Sequence, residues 1–422
     1  MNGILIENIG QLVQVRQDAQ DKNRPFCAGK DMDRLPCLGN AWLYIRNGLI
    51  DGFGPMETCP YREDVPVGTK IIDATGRCVF PSFCDCHTHI VFAGSREQEF
   101  SDKIRGLTYR EIAARGGGII NSANLLQNTS EDELYRQSLE RAKELIRFGT
   151  GAVEIKSGYG LTVEDELKML RVIRRIAEDT PLSVKATFLG AHAVPEEYKG
   201  RQSEYVDLIV EEMIPMVAQE GLAQYVDVFC ETGFFTVADT ERIFTAALKH
   251  GLRPKVHANQ MDFSQGVQTG VAYGAITVDH LEHTGPEEWD ILARSDTMPV
   301  LLPGSTFYLE MDYAPAREMI SRGLPIALAS NYNPGSCPAG NLQLMMLLAC
   351  LKMKMTPAEA VNAVTLNGAH AMDLSFNLGS IAVGKIGNVF ITKPIPSYEY
   401  FMYAFTSPLV ETTILNGKIT EL

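Results

Sequence analysis

Short apolar runs that end in polar residues recur along the central part of the chain. Eight runs occur, at 78–89, 151–160, 183–195, 225–233, 253–260, 275–283, 298–305 and 325–335. Segments between them, such as 130–149 and 163–179, carry apolar residues at the spacing of an amphipathic helix. Strands that alternate with helices form a parallel sheet, and eight such units predict a closed (β/α)8 TIM barrel, which we place at 76–377.

The two ends of the chain have a different pattern. Residues 1–75 and 378–422 hold short strand-like pieces, and two Asn-Gly pairs, at 47–48 and 416–417, are typical of tight hairpin turns. Neither end is long enough to bury a core alone. We therefore expect both ends to form one small β-sandwich domain beside the barrel, and we interpret the stretch 24–40 as a loop.

Composition narrows the class of partner. The 422 residues include 38 Lys and Arg against 52 Asp and Glu, which gives a net charge of −14. The chain therefore has no general electrostatic reason to bind nucleic acid or an anionic membrane, and a small-molecule substrate is expected. The first residues lack a secretion signal and no apolar stretch approaches about 20 residues, so we expect a cytoplasmic protein. A homodimer is one option for its oligomeric state, which the sequence does not determine.

The nine cysteines are scattered along a long chain, so we expect reduced thiols and no disulfide framework. Cys84 and Cys86 flank Asp85 directly before His87, which gives them the appearance of metal ligands. We interpret both as small apolar residues of a buried strand, because free cysteine usually behaves as a small hydrophobe.

Two histidines mark the end of the first apolar run. His87 and His89 are two residues apart, so on a strand both side chains point to the same face. His257 ends the fifth run, and position 331 lies at the end of the eighth. A single H-x-H motif or a lone core histidine is often structural, but in a barrel these strand ends meet at one rim. Three imidazoles can hold a divalent ion that keeps one position open for water and acidifies it.

The sequence around these histidines resembles a known family. The resemblance lies in FPSFCDCHTHIVFAGSREQEF, EIKSGYGL, FLGAHAVP, FCETGFFT, VHANQ, VDHLEHT, LLPGSTFYL and NYNPGS, which occur in this order. These stretches are similar to the imidazolonepropionases of the amidohydrolase superfamily and cover nearly the whole predicted barrel. H-T-H alone is weak evidence, whereas its combination with G-S-R, K-S-G-Y-G and G-A-H-A is specific. The resemblance implies an amidohydrolase-type barrel and a metal-dependent hydrolase.

The resemblance also implies a metal site and a reacting group. His87, His89 and His257, together with position 331, would bind one Zn²⁺ or Fe ion per chain, and His280 would face the reacting water or carbonyl. Some amidohydrolases bridge two metals with a modified lysine. Lys156 lies on the second predicted strand rather than the fourth, so we expect a single-metal site.

Substrate contacts follow from the same resemblance. Arg96 would hold the propionate of the substrate, a role that suits the planar fork of a guanidinium. Gln260, where some members have Glu, would contribute both to catalysis and to the pocket for the ring. The remaining substrate-binding positions that the resemblance implies are Tyr159, His192, Asn333, Gly335 and Ser336.

Position 331 departs from the family, which has Asp there. That Asp would complete the metal site and accept a proton from the attacking water, whereas the amide of Asn331 carries no charge and cannot act as a base near neutral pH. We therefore expect impaired activity. Three explanations stay open: a substitution made to trap a ligand, a natural variant with another base, or a decayed enzyme. His280 and Glu231 are the candidate substitute bases.

The expected reaction is hydrolysis of the ring of 4-imidazolone-5-propanoate to N-formimidoyl-L-glutamate, a step of histidine degradation. One alternative is a metal-dependent aminohydrolase that acts on another heterocycle, although a neutral base needs no carboxylate clamp such as Arg96. Another alternative is a catalytically inactive binder of a small acid on the same fold, which Asn331 alone supports.

Overall fold

The computed structural model describes residues 3–16, 25–61, 64–107 and 117–421. The chain begins with five strands: β1 (Gly3–Val13), β2 (Cys37–Arg46), β3 (Leu49–Pro55), β4 (Thr69–Asp73) and β5 (Arg77–Pro81). A tight turn joins β2 to β3 through Asn47 and Gly48, whose φ angles of 52° and 84° are left-handed, as the predicted hairpin requires.

The stretch 24–40 is not a loop throughout, which corrects the interpretation from its composition. A short 3-10 helix occupies Gly29–Asp33, and β2 begins at Cys37. The end of the stretch is a strand because β1 pairs with it in antiparallel register, Val13 opposite Cys37. Residue 24 lies outside the described part of the chain.

Eight further strands form the predicted barrel. They pair in chain order, each parallel to the next. The residues that follow the last strand meet the end of the first through two backbone hydrogen bonds: Asn331 N donates to His87 O at 3.0 Å, and His89 N donates to Tyr332 O at 2.9 Å. The strands are β6 (Phe83–Thr88), β7 (Thr150–Lys156), β8 (Ser183–Ala191), β9 (Tyr225–Cys230), β10 (Arg253–Ala258), β11 (Thr277–His280), β12 (Met298–Leu301) and β13 (Ala327–Leu328).

Helices follow the barrel strands, including the two that the periodicity predicts. Glu131–Arg147 is capped by Ser130, and Val163–Asp179 by Thr162, each side chain accepting a hydrogen bond from the first helical turn. The other α-helices among the described residues are Glu97–Ile104, Ile119–Gln127, Gln202–Leu208, Ile214–Gln219, Val237–Lys249, Gly266–Ala272, Pro286–Leu292, Pro303–Leu309, Ala316–Ser321, Leu342–Met353, Pro357–Asn362, Gly368–His370 and Tyr398–Tyr403.

The two chain ends share one sheet. β14 (Val389–Pro394), β15 (Val410–Leu415) and β16 (Lys418–Ile419) join the early strands in the order β16-β15-β14-β5-β1-β2-β3, and β4 pairs with β1. A core separate from that of the barrel packs inside this sheet, with buried residues from both ends such as Ile6 and Ile391. The expected β-rich unit from both ends is confirmed, whereas the boundaries at 75 and 378 stay predictions.

All nine cysteines are free thiols. Cys84 and Cys86 are buried in an apolar cluster, and burial raises the pKa of the Cys84 thiol to about 12. Within the described ranges, no helix combines the length and the apolar character that a membrane crossing requires.

Candidate active site

A cavity of about 390 Å³ lies at the carboxyl ends of the barrel strands. This is the rim at which barrel enzymes assemble their sites, because the loops that follow the strands converge there. Apolar residues, among them Phe229, Phe234 and Met261, form part of its wall. The sequence-predicted site residues that line it are His89, Arg96, Tyr159, His192, His257, Gln260, His280, Asn331, Asn333, Gly335 and Ser336.

The histidines come together beside this cavity. Nε2 of His87 lies 3.2 Å from Nε2 of His89, and one ring nitrogen from each of His87, His257 and His280 lies within 4.8 Å of the others. All four imidazoles are buried. Burial is the largest cause that lowers the pKa of His87, His89 and His257, so these rings are held neutral with lone pairs available.

Buried carboxylates orient two of these rings. Nδ1 of His87 lies 2.5 Å from Oδ2 of Asp279, and Nδ1 of His257 lies 3.0 Å from Oδ2 of Asp227. A carboxylate can only accept a hydrogen bond, so Asp279 keeps the proton of His87 on Nδ1 and leaves Nε2 free as a ligand atom. Nδ1 of His257 is close to Asp227 but makes no hydrogen bond, so Asp227 acts on that ring through its charge. Carboxylate–histidine pairs of this kind are typical of metal sites.

Lys156 contacts both of these carboxylates and does not line the cavity. Its Nζ lies 2.6 Å from Glu154, 2.7 Å from Asp227 and 3.5 Å from Asp279, and its side chain is fully buried. Burial alone would lower its pKa, but Asp227, Glu154 and Asp279 together raise it above its ordinary value. A cation in these contacts is an ammonium, and a modified, negatively charged lysine would repel all three carboxylates.

The donor set fits a divalent metal ion. A tetrahedral zinc ion with bonds of about 2.0–2.1 Å keeps its ligand nitrogens roughly 3.3 Å apart, close to the separation of the two Nε2 atoms. In addition, the buried Nδ1 of His89 makes no hydrogen bond, so this ring is held by packing and by what its other nitrogen binds. Neutral imidazoles with convergent nitrogens are the ligands that zinc and iron accept.

Arg96 enters the cavity from the loop that follows β6. Its Nε and Nη2 donate to Oε2 of Glu99 at 2.9 Å and 2.5 Å. Glu99 also accepts from Gly118 N and Asn121 Nδ2, which ties this loop to the next helix. Nη1 of Arg96 lies against Gly335, where a Cβ atom would collide with it. Glu99 therefore fixes one edge of the guanidinium and leaves its other end in the cavity.

The K-S-G-Y-G segment after β7 positions Tyr159. The backbone amides of Gly158, Gly160 and Leu161 donate to the buried carboxylate of Glu166 at 3.1, 2.8 and 3.0 Å. Burial raises the pKa of the Tyr159 hydroxyl, which therefore stays protonated.

His192 follows β8 and is held by the same segment. Its Nδ1 donates to Gly158 O at 2.9 Å, because a carbonyl only accepts. Burial, with His257 second, lowers the pKa of His192 to about 3. The ring is therefore neutral, and its Nε2 is a hydrogen-bond acceptor in the cavity.

The segment 331–336 forms the wall after β13. Asn331 has a φ of 54°, a left-handed conformation that Asn and Asp tolerate better than other side chains. Its Oδ1 accepts from Asn333 Nδ2 at 3.0 Å, and the same Nδ2 donates to Ser336 Oγ at 2.8 Å. Asn333 Oδ1 accepts from Gly335 N and Ser336 N. The side chain of Asn333 thus shapes the loop on which Gly335 and Ser336 reach the cavity.

Gln260 follows β10, and Glu231 holds it in place. The carboxylate of Glu231 accepts from Gln260 N at 2.8 Å, Met261 N at 3.1 Å and Thr232 N at 3.0 Å. Backbone amides therefore occupy Glu231, which does not line the cavity. Its contacts favour a role in shaping the loop and do not support the role of substitute base.

Comparison with known proteins agrees with this geometry. The amidohydrolase family model matches residues 78–420. The chain is 54% identical to the imidazolonepropionase of Flavobacterium johnsoniae over 415 residues, which cover 98% of this chain and 99% of that protein. It is 52% identical to the imidazolonepropionase of Christiangramia forsetii over 416 residues, with 99% of each chain covered.

The chain belongs to the imidazolonepropionases of the amidohydrolase family.

Solved amidohydrolase-fold structures share its architecture. Guanine deaminase from E. coli superposes with a TM-score of 0.75 at 13% identity, covering 100% of this chain and 99% of that chain. A triazine hydrolase variant superposes with a TM-score of 0.75 at 15% identity, covering 99% and 94%. At such low identity the likeness shows the fold alone.

The residues that support this amidohydrolase site were not predicted from the sequence. Asp227, Asp279 and Glu99 do not line the cavity. Asp227 contacts His257 and Asp279 contacts His87, whereas Glu99 accepts a hydrogen bond from Arg96. A signal for two of them was present, because Asp227 and Asp279 each interrupt an apolar barrel strand. A charged residue within a buried strand needs a partner, and these strands converge on the histidines.

Proposed function

We propose that this chain hydrolyses the ring amide of 4-imidazolone-5-propanoate to N-formimidoyl-L-glutamate, a step of histidine degradation. The observation that carries the proposal is the identity of 54% to an imidazolonepropionase over 98% of the chain. The cavity supports it, because it combines a carboxylate-binding arginine with a histidine cluster that fits a metal ion.

Arg96 is the residue that we assign to the propionate. Glu99 occupies its Nε edge, so the substrate carboxylate binds the remaining end of the guanidinium beside Gly335. His192 presents a bare Nε2 and accepts a ring N–H, while the protonated hydroxyl of Tyr159 can donate to the ring. Gln260 and Ser336 supply further polar contacts from neighbouring loops.

His87, His89 and His257 are the residues that would hold one Zn²⁺ or Fe ion, with the amide oxygen of Asn331 nearby as a weak fourth ligand. Such an ion polarises a carbonyl and makes water a stronger nucleophile at neutral pH. The protein supplies neutral rings oriented by Asp279 and Asp227. Lys156 supports a single-metal site, because its ammonium is paired with Asp227 and Asp279 and does not line the cavity, so it does not bridge two ions.

His280 is the residue that we assign to proton transfer. Of the other cavity histidines, His89 and His257 are assigned to the metal and His192 stays neutral. His280 can take a proton from the attacking water and return it to the ring nitrogen that leaves as the C–N bond breaks. The uncharged Asn331 cannot share this work, so we expect turnover below that of a member with Asp.

The alternative activities have less support. An aminohydrolase for a neutral heterocycle needs no carboxylate clamp, yet Arg96 is held in the cavity by Glu99. An inactive binder rests on Asn331 alone. A small-molecule substrate agrees with the named relatives.

The proposal is tested by incubating the purified protein with the imidazolone acid and following the substrate by its absorbance and the product by mass spectrometry. We expect N-formimidoyl-L-glutamate to form, without release of ammonia. A matched assay with guanine and a triazine measures ammonia. Ammonia from those rings with an intact imidazolone acid would favour the aminohydrolase, and tight binding without any product would favour the inactive binder.

A further inference from the structure

The backbone is strained at the end of β11. His280 and Leu281 have φ angles of 86° and 66°, and two consecutive non-glycine residues in the left-handed region are uncommon. Backbone hydrogen bonds from Leu281 N to Ala258 O and from His283 N to Asn259 O hold the distorted segment against the end of β10. Strain of this kind persists where the surrounding structure imposes it, and it is concentrated at functional sites.

The distortion places a buried carboxylate behind His280. Oε2 of Glu282 lies 3.6 Å from Nδ1 of His280, and the two side chains are 2% and 3% exposed. His280 lines the cavity, whereas Glu282 does not. Because the two ring nitrogens point in different directions, a ring that turns Nδ1 toward Glu282 presents Nε2 to the cavity.

Both facing atoms lack a hydrogen bond at this separation. Nδ1 of His280 and Oε2 of Glu282 are buried and have no hydrogen-bond partner. A distance of 3.6 Å is too long for a hydrogen bond, and a pair of buried unsatisfied polar atoms is costly. Contacts between catalytic groups are often long without substrate and tighten when it binds. A shift of less than about 1 Å would satisfy both atoms.

The other carboxylate oxygen is already fixed. Thr306 Oγ1, in the helix Pro303–Leu309, donates to Oε1 of Glu282 at 2.8 Å. Glu282 is thus held by the barrel unit that follows β12, and only Oε2 is left to meet His280.

We propose that Glu282 is a positioning residue, which accepts the Nδ1 proton of His280 and keeps Nε2 unprotonated toward the cavity. The inference rests on the proposed function for its kinetic consequence, since His280 can accept a proton from water only through a bare Nε2. The tautomer itself is a property of the protein without substrate, because the charge of a buried carboxylate 3.6 Å away favours the proton on the facing nitrogen even before the contact shortens. With the neutral Asn331 nearby, the His280–Glu282 pair supplies the base that position 331 lacks.

Glu282→Gln tests the pair, because a glutamine is nearly isosteric and can donate to Nδ1. We expect 15N NMR of histidine-labelled protein to show His280 as the Nδ1–H tautomer in the parent and as Nε2–H in E282Q. The chain has eight histidines, so the loss of one signal in His280→Asn assigns the resonance. We expect kcat to fall roughly 100-fold with KM within about twofold.

Two controls separate positioning from a structural effect. Glu288→Gln removes another buried carboxylate of the same barrel unit, which bonds Gln268 and Gly285 rather than a cavity histidine, and it should leave tautomer and kcat unchanged. In a His280→Asn background, E282Q should change kcat less than about twofold, because its effect passes through His280. If E282Q does not fold, Thr306→Val replaces it as the test, because this change removes only the hydroxyl that fixes Glu282. We expect its loss of kcat to be smaller than that expected for E282Q.

An unchanged tautomer in folded E282Q would overturn the inference. If E282Q does not fold, an unchanged tautomer together with parental kcat in folded Thr306→Val would overturn it. So would an equal loss of kcat with and without His280. If the parent produces no N-formimidoyl-L-glutamate while the tautomer still switches, the proposed function fails and the positioning of His280 by Glu282 stands.

Discussion

The histidine cluster and the Arg96 region, residues 94–107 and 117–121, are built by different means. The cluster lies on strand ends and is supported by buried carboxylates and by Lys156. Arg96 lies on a loop before the short helix Glu97–Ile104, none of whose residues is buried, and depends on Glu99. Under the proposed roles, the reacting groups lie on the barrel and the carboxylate contact lies on a loop, so changes in the two regions should separate in kcat and KM.

The largest effect is expected in the histidine cluster. His257→Ala removes a ligand nitrogen and leaves Asp227 without its imidazole partner, so the protein should lose bound metal and all measurable turnover. Elemental analysis and the product assay measure both. The exposed His250→Ala should keep metal and activity at the parental level. Retention of metal and turnover in His257→Ala would remove His257 from the metal site.

Asn331→Asp tests whether a negative charge at position 331 increases turnover. The two side chains are nearly isosteric and both tolerate the left-handed backbone at this position, so the fold should not change. A carboxylate strengthens metal retention and supplies a general base, and we expect kcat to rise at least about 100-fold with little change in KM. Asn331→Gly suits the same backbone without charge and should not raise kcat. If the parent already turns over at about 10 s⁻¹ and Asp adds nothing, then position 331 has no part in proton transfer.

Arg96→Ala should act mainly on recognition. A lost charge-assisted hydrogen bond is worth about 1.5–3 kcal/mol, so KM for the imidazolone acid should rise roughly 10- to 100-fold while kcat changes less than about threefold. Arg105→Ala, on the same segment but largely exposed, is the matched control and should match the parent. Parental values of both constants in Arg96→Ala would show that Arg96 does not bind the propionate.

A smaller effect concerns stability against acid. The pKa of His192 is lowered to about 3, whereas in an unfolded chain it is about 6.5. Between these values the unfolded chain binds a proton that the folded chain does not, so the free energy of unfolding falls as the pH falls. For the metal-free protein, urea unfolding at pH 7.5 and pH 5 should show a loss about 2 kcal/mol smaller in His192→Gln than in the parent. Equal losses would mean that His192 is not held neutral.

The fold and the cavity wall follow from local patterns that sequence makes visible. Eight apolar runs predict the barrel, and the polar residues that end them converge because parallel strands share one rim. The contacts that could not be predicted from the sequence depend on residues that are neighbours only in the folded chain. Glu99 meets Arg96 through loop geometry, and whether Glu231 faces the cavity or a backbone amide is decided by the path of the loop after β9.

The backbone at the end of β11 is equally hidden from the sequence. Nothing in the order of residues indicates that His280 and Leu281 adopt left-handed conformations or that Glu282 comes behind the ring. Hydrogen bonds to β10 impose that geometry, so it depends on contacts between neighbouring strands rather than on local propensity.

Metal-dependent hydrolysis is best tested by titrating metal into chelator-stripped protein and following the rate of N-formimidoyl-L-glutamate formation. We expect no turnover without metal, and a rise with Zn²⁺ or Fe²⁺ that reaches its plateau at one ion per chain. A plateau at two ions would contradict the single-metal site. Turnover that persists in the stripped protein would contradict the metal-dependent hydrolysis itself.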